Sequence, residues 1–172
     1  EIAMTTIAYM TIEGETQGEI SSGALSEESV GTALQEGHED EILVQAFSHG
    51  IPRKTNINSG HITGLPMVES MKIVKMIDKA SPLLHNALVT GEQLQVELNF
   101  FRIASSGEEE LYYTIELENA VLVDIQTRIE NVTDPDNAHF SPMEELHINA
   151  ATITWSHEPG GTEGQYTFGA SA

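Results

Sequence analysis

Strict alternation of apolar and polar residues commits this chain to half-buried β-strands. Leu94, Val96, Leu98 and Phe100 fall on one side and Gln95, Glu97 and Asn99 on the other, the period of two that an extended backbone produces. Tyr113, Ile115 and Leu117 repeat the pattern, and Val121, Val123 and Ile125 are expected to continue it on the same side across a kink at Asn119-Ala120. Further on, Leu146, Ile148 and Ala150 are even-numbered while Ala151, Ile153 and Trp155 are odd. One extra residue near Ala150-Ala151 is therefore expected, a β-bulge. Weaker strand patterns cover Ile7 to Ile12, Ile42 to His49 and Met67 to Ile77. These carry apolar residues on both faces, as strands covered on both sides do, and a neighbouring subunit is one source of such cover.

A single segment has helical punctuation. Ser81 is placed as N-cap, Pro82 at the first helical position, and Leu83, Leu84, Ala87 and Leu88 on one packing face, with Gly91 as the stop. So short a helix cannot hold in water by itself, so its leucines must lie on the sheet. Two long stretches, roughly 14–41 and 50–65, have loop composition, and compact domains seldom leave such lengths idle.

The chain has 172 residues and no internal repeat or linker composition, so a single domain spanning 1–172 is expected. Glu1-Ile2-Ala3 ahead of Met4 reads as an addition to a native start. No run approaches the roughly 18 apolar residues of a membrane helix, and the opening lacks a basic then apolar leader, so neither membrane insertion nor a signal peptide is expected. With 7 Lys+Arg against 27 Asp+Glu the net charge is −20, which repels nucleic acid and anionic lipid. Arg53 and Lys54 stand out as two of those seven basic residues, both in the second loop stretch, and mark it for docking on an acidic surface.

Chemistry finds little footing. Cysteine is absent, removing disulfides, thiolate nucleophiles and thiolate metal sites. The seven histidines, at 38, 49, 61, 85, 139, 147 and 157, include no HExxH spacing. The acidic run His38-Glu39-Asp40-Glu41 lacks the spacing of a calcium loop and reads as a solvated cluster. No GxSxG elbow and no phosphate-cradling glycine loop is present. No catalytic, cofactor or metal residue is assigned, and an enzyme is not expected.

Whole strings of the sequence are informative. TIEGETQGEISSGALSEESVG at 11–31 with EGHEDEILVQAF at 36–47, DKASPLLHNALVTGE at 78–92, LYYTIELENAVLVDI at 111–125, and DPDNAHF at 134–140 with ITWSHE at 153–158 resemble, in this order, the Hcp proteins of type VI secretion systems. The resemblance implies a mainly β fold of two sheets curled into a barrel with one short flanking helix, at about 82–90. It implies hexameric rings stacked into an injected tube, with a spike protein, a contractile sheath and effector proteins as partners. The location implied is the bacterial cytoplasm before firing and the medium or a target cell after it. The expected interface between subunits or rings comprises Ile51, Arg53, Lys54, Ile57, His61, Met71 and Ile73, while Leu83, Leu84 and Leu88 pack the helix. The rival expectation is an independent small-ligand or glycan-binding β-barrel, with a hydrolase third.

Overall fold

The computed structural model describes residues 6–168; the reading of residues 1–3 as an addition lies outside them. The elements run β1 (Ile7–Gly14), β2 (Gly18–Glu19), α1 (Glu27–Val30), β3 (Ile42–Val44), β4 (Ala46–Ser48), β5 (Arg53–Thr55), β6 (Ile62–Pro66), β7 (Met71–Met76), α2 (Ser81–Thr90), β8 (Leu94–Ile103), β9 (Glu109–Arg128), β10 (Met143–His157) and β11 (Thr162–Thr167). Nine strands form one antiparallel sheet whose path is β2-β1-β8-β9-β10-β7-β4, with β3 beside β1 and β11 beside β10; β5 and β6 form a separate hairpin.

The sheet is open, which corrects the expectation of a barrel. Closure needs two long free edges that can zip in one consistent stagger. Here the outer edge of β10 is divided between β7, against Met143–Ile148, and β11, against Thr152–His157. That of β1 is likewise split between β2 and β3. Residues 42–48 pass from the flank of β1 to that of β7, and at Gln45, whose N–H donates to Val74 O at 2.8 Å, the partner changes instead of the ladder closing.

The kink in β9 is where the alternation placed it, but its consequence differs. Asn119 sits at φ 48°, in the left-handed region, and between Leu117 and Ala120 the strand carries an extra residue relative to β8, where Val96 pairs Leu117 and Leu94 pairs Ala120. The inward set therefore changes from Ile115 and Leu117 to Ala120 and Leu122, and Val121 and Val123 do not follow as expected. A second shift flips it back: His147 pairs Asp124 and Ile148 pairs Leu122, so Val123 bulges and Ile125 turns inward. The bulge expected at Ala150-Ala151 of β10 is not there. Ala150 pairs Ala120 and Thr152 pairs Glu118, so both strands change face together and remain in step.

Inside the curl the core gathers Met10, Ile12, Ile73, Leu98, Leu117 and Leu146, all essentially inaccessible. The helix α2 caps one end with Leu84 and Ala87 buried and Leu88 packed on the core. Leu83 was expected beside them, but it lies about 100° round the helix from Leu84 and is 37% exposed. Gly91 ends the helix at φ 67° as expected, while the N-cap is Ala80 and not Ser81. The stretch 14–41 is pinned by buried Ile20, Ala24 and Leu25.

Candidate assembly surface

The segment 50–65, read as a loop, forms the β5–β6 hairpin. Its root is zipped by Met67 N–H donating to Pro52 O at 2.8 Å and Glu69 N–H to Gly50 O at 3.1 Å. Its tip is held by Asn56, whose N–H donates to His61 O at 2.7 Å and whose side-chain oxygen accepts from Asn58 and Ser59 N–H at 2.9 and 3.3 Å. Asparagine is suited to this because its carbonyl imitates the next peptide group of a turn. The result is an ordered arm whose apolar residues face water: Ile57 is 97% exposed and Leu65 75%, with Ile62 and Met67 also open. Apolar side chains left open to water on an ordered segment point to an interaction surface. Arg53 spends its Nε–H on Gly64 O at 3.0 Å, and neither it nor Lys54 forms an ion pair among the described residues.

Of the expected interface residues, Ile51, Arg53, Lys54, Ile57 and His61 are brought together on or at the root of this arm, all exposed. Met71 and Ile73 are not: both face inward on β7 and are buried in the chain's own core, so neither side chain can meet another copy. Only one face of β7 is buried by the curl, while Lys72, Val74 and Met76 on the other stay exposed or half-buried; β10 and β4 flank the edges of the strand.

A charged cluster beneath α2 escaped the sequence reading. Lys75 is wholly buried, and its Nζ meets Met76 O at 2.8 Å, Glu144 Oε2 and Asp78 Oδ1 at 3.0 Å, and Ser81 Oγ at 3.1 Å. Ser81 Oγ in turn donates to Glu144 Oε2 at 2.8 Å and accepts from Asp78 N–H at 3.0 Å. Burial pushes the Asp78 carboxyl above its usual range despite the opposing pull of Lys75. A Ser-Lys pair suggests a nucleophile, but this hydroxyl is buried with its proton and lone pairs already engaged, and it can reach no substrate. The cluster anchors the helix start, which is why Ser81 points inward and leaves the cap to Ala80. Parity could have revealed it: Lys75 shares its side of β7 with Met71 and Ile73, and Glu144 shares its side of β10 with Leu146 and Ile148.

Other polar groups are also structural. The His38 ring stacks on that of buried Tyr9 at 3.9 Å and 6°, and its Nδ1 lies 3.1 Å from Glu41. Burial raises the Tyr9 phenol, with Glu109 and Glu41 adding to the rise. The buried Glu92 carboxylate gathers the 14–17 turn, accepting Thr16 N–H at 2.6 Å, Gln17 N–H at 2.7 Å and the Gln17 side-chain amide at 2.7 Å. Burial works to raise its pKa, but these donors win and lower it. Among the described residues no group of three or more His, Asp or Glu is placed to hold a metal ion, and no helix is long and apolar enough to cross a membrane.

Comparison with known proteins matches residues 9–157 to the family model described as type VI secretion system effector, Hcp. The chain belongs to the Hcp family. The string resemblances noted above are thus borne out over nearly the whole chain. The major exported protein of Pseudomonas aeruginosa is 46% identical over 162 residues, covering 94% of each protein. Among solved structures, a crystal structure of an Hcp protein superposes with a TM-score of 0.90 at 34% identity over 97% of this chain and 100% of that one. Secreted protein Hcp3 from Pseudomonas aeruginosa gives 0.77 at 40% identity over 95% and 98%.

Proposed function

We propose that this Hcp chain is a structural tube subunit of a type VI secretion machine and not an enzyme, closing as a single domain into hexameric rings that stack into the injected inner tube. The observation that carries this reading is the ordered hairpin, whose apolar residues have no partner in their own chain. An arm of that kind on a family member calls for another copy of the protein. A heterologous contact, in which one patch meets a different patch on the next copy, closes into a ring when its rotation returns to the start. Ile51, Arg53, Lys54, Ile57 and His61 form one side of that contact between subunits or rings. The bore accommodates effector proteins, and a spike protein and contractile sheath complete the machine. The chain works in the bacterial cytoplasm before firing and outside the cell after it, a reading supported by the name of the exported Pseudomonas relative.

Sedimentation combined with electron microscopy tests this. Annular particles of about six times the 18.7 kDa protomer are expected. An independent ligand-binding module would instead run as a monomer or dimer with no central hole, and that result at every concentration and salt would overturn the reading.

A further inference from the structure

The junction between β7 and α2 is organised by Asp78. Its N–H donates to Ser81 Oγ at 3.0 Å and its carbonyl accepts Ser81 N–H at 3.1 Å, while its Oδ1 takes the Ala80 N–H at 2.9 Å and the Lys75 ammonium at 3.0 Å. These bonds fix the turn 77–80 against the first residues of the helix. Charge does not balance there. Two carboxylates, Asp78 and Glu144, and one ammonium, Lys75, have almost no contact with water, so with every group ionised the cluster holds one surplus negative charge in a dry site. An uncompensated buried charge is so costly that a group changes its protonation state instead. The remaining charged groups nearby do not cancel it. His85, on α2, stands 4.0 Å from Glu144 Oε1, but its Nδ1 partners Ser81 O at 2.8 Å and half of its ring faces water. Lys79 turns outward to Glu28 at 3.3 Å.

Asp78 is the carboxylate placed to resolve the imbalance. Glu144 Oε2 holds both the Lys75 ammonium at 3.0 Å and the Ser81 hydroxyl at 2.8 Å. Asp78 works through Oδ1 alone, and among the described residues its Oδ2 accepts no hydrogen bond. A proton on Oδ2 therefore removes the surplus charge and leaves every contact of the junction in place. Burial pushes this carboxyl above its usual range and the charge of Glu144 adds to the rise, against the pull of Lys75 and of the Ala80 N–H. We propose that a proton on Asp78 Oδ2 is the latch that seats the start of α2, so that the β7–α2 junction is tight in acid and loosens as the pH rises and the surplus charge returns. The latch works within one chain and does not rest on the tube reading. When the junction opens, Asp78 meets water and gives up the proton at its ordinary value. Opening therefore becomes easier by up to about tenfold for each pH unit between that value and the folded one.

Hydrogen exchange read by mass spectrometry over residues 76–84, corrected for the intrinsic rate and followed from about pH 4.5 to about pH 8, tests the latch. Asp78→Asn keeps the Oδ1 acceptor and removes the proton site. In the wild type, protection of the junction is expected to fall with pH by up to about tenfold per unit, while residues 94–99 of the core strand β8 stay level. Asp78→Asn should be level in both segments and match the protection that the wild type has in acid. His85→Gln should keep the wild-type fall. A wild-type junction that stays level across the series overturns the proposal with no variant needed. A fall that persists in Asp78→Asn overturns it as well, since the proton then sits elsewhere in the cluster, and one that vanishes in His85→Gln makes the histidine the carrier instead. An Asp78→Asn chain that loses protection at every pH, or does not fold, shows that the ionised carboxylate is required and overturns it too. Each outcome is read within a single chain, so a failed latch leaves the tube reading standing.

Discussion

Lys75 shows how a single polar residue at an inward position constrains everything around it. Its ammonium has no access to water, and Glu144 and Asp78 are the two carboxylates that compensate it. Breaking a buried pair by removing one member costs about 3–5 kcal/mol, because the remaining charge is left without a partner. Lys75→Met should therefore destabilise the fold by an amount of that order at neutral pH. The loss should shrink in acid, since protonating Asp78, whose carboxyl burial already pushes upward, discharges one of the abandoned carboxylates. Urea unfolding at neutral and acid pH, at matched protein concentration, reads both numbers; an equal loss at the two values would show that the ammonium matters through its packing alone. Two carboxylates set the background with opposite signs. The raised pKa of Asp78 gives a contribution present below the ordinary carboxylate value and lost as pH rises through its folded value. The lowered pKa of Glu92 gives one present above the ordinary value and lost as pH falls through its folded value.

Among the elements, α2 separates residues that hold the fold from residues that only accompany it. Leu84 is fully buried under the sheet, so Leu84→Ala should cost about 2–5 kcal/mol as a cavity opens. Leu83→Ala, one residue away on the exposed flank, should stay within about 0.5 kcal/mol of wild type. Denaturant midpoints of the two variants check the contrast, and similar losses would mean that the helix docks by another face. The helix and the long strands β8, β9 and β10 were legible in the sequence because periodicity reports burial directly. What misled was continuity. Val121 and Val123 keep the numerical parity of Ile115 and Leu117, but the left-handed Asn119 and the bulge at Val123 shift the face twice, and parity cannot count extra residues that pair with nothing. The hairpin read as a loop because neither of its faces is buried by its own chain, so burial left no alternation in the residues that form it. Met71 and Ile73, expected at an interface, line the chain's own core because they share the one side of β7 that the curled sheet buries.

At the scale of the whole molecule, the family was legible in strings spread along the chain, whereas barrel closure was not, because closure depends on which edges meet and local sequence does not encode that. The aromatic groove lined by Phe47, His49, Phe100, Tyr113 and Trp155 was invisible for the same reason: its residues come from β4, the segment after it, β8, β9 and β10, and only the curl brings them together. Charge gives the remaining prediction. Each copy carries −20, so the proposed ring of six would carry −120, and two such rings brought face to face would repel over any distance that salt does not screen. Any opposing attraction must come from local features such as the open apolar residues of the hairpin, whose burial ions would barely affect, and the neighbouring Arg53 and Lys54. The screening length falls from about 30 Å at 0.01 M salt to about 8 Å at 0.15 M. Added salt should thus suppress the long-range repulsion more than it weakens the buried contact, and rings should stack more readily as ionic strength rises through that range. Sedimentation across a salt series reads this as a shift from single rings toward longer particles. Stacking that declines with salt would mean instead that Arg53 and Lys54, and not the apolar residues of the hairpin, supply most of the adhesion between rings.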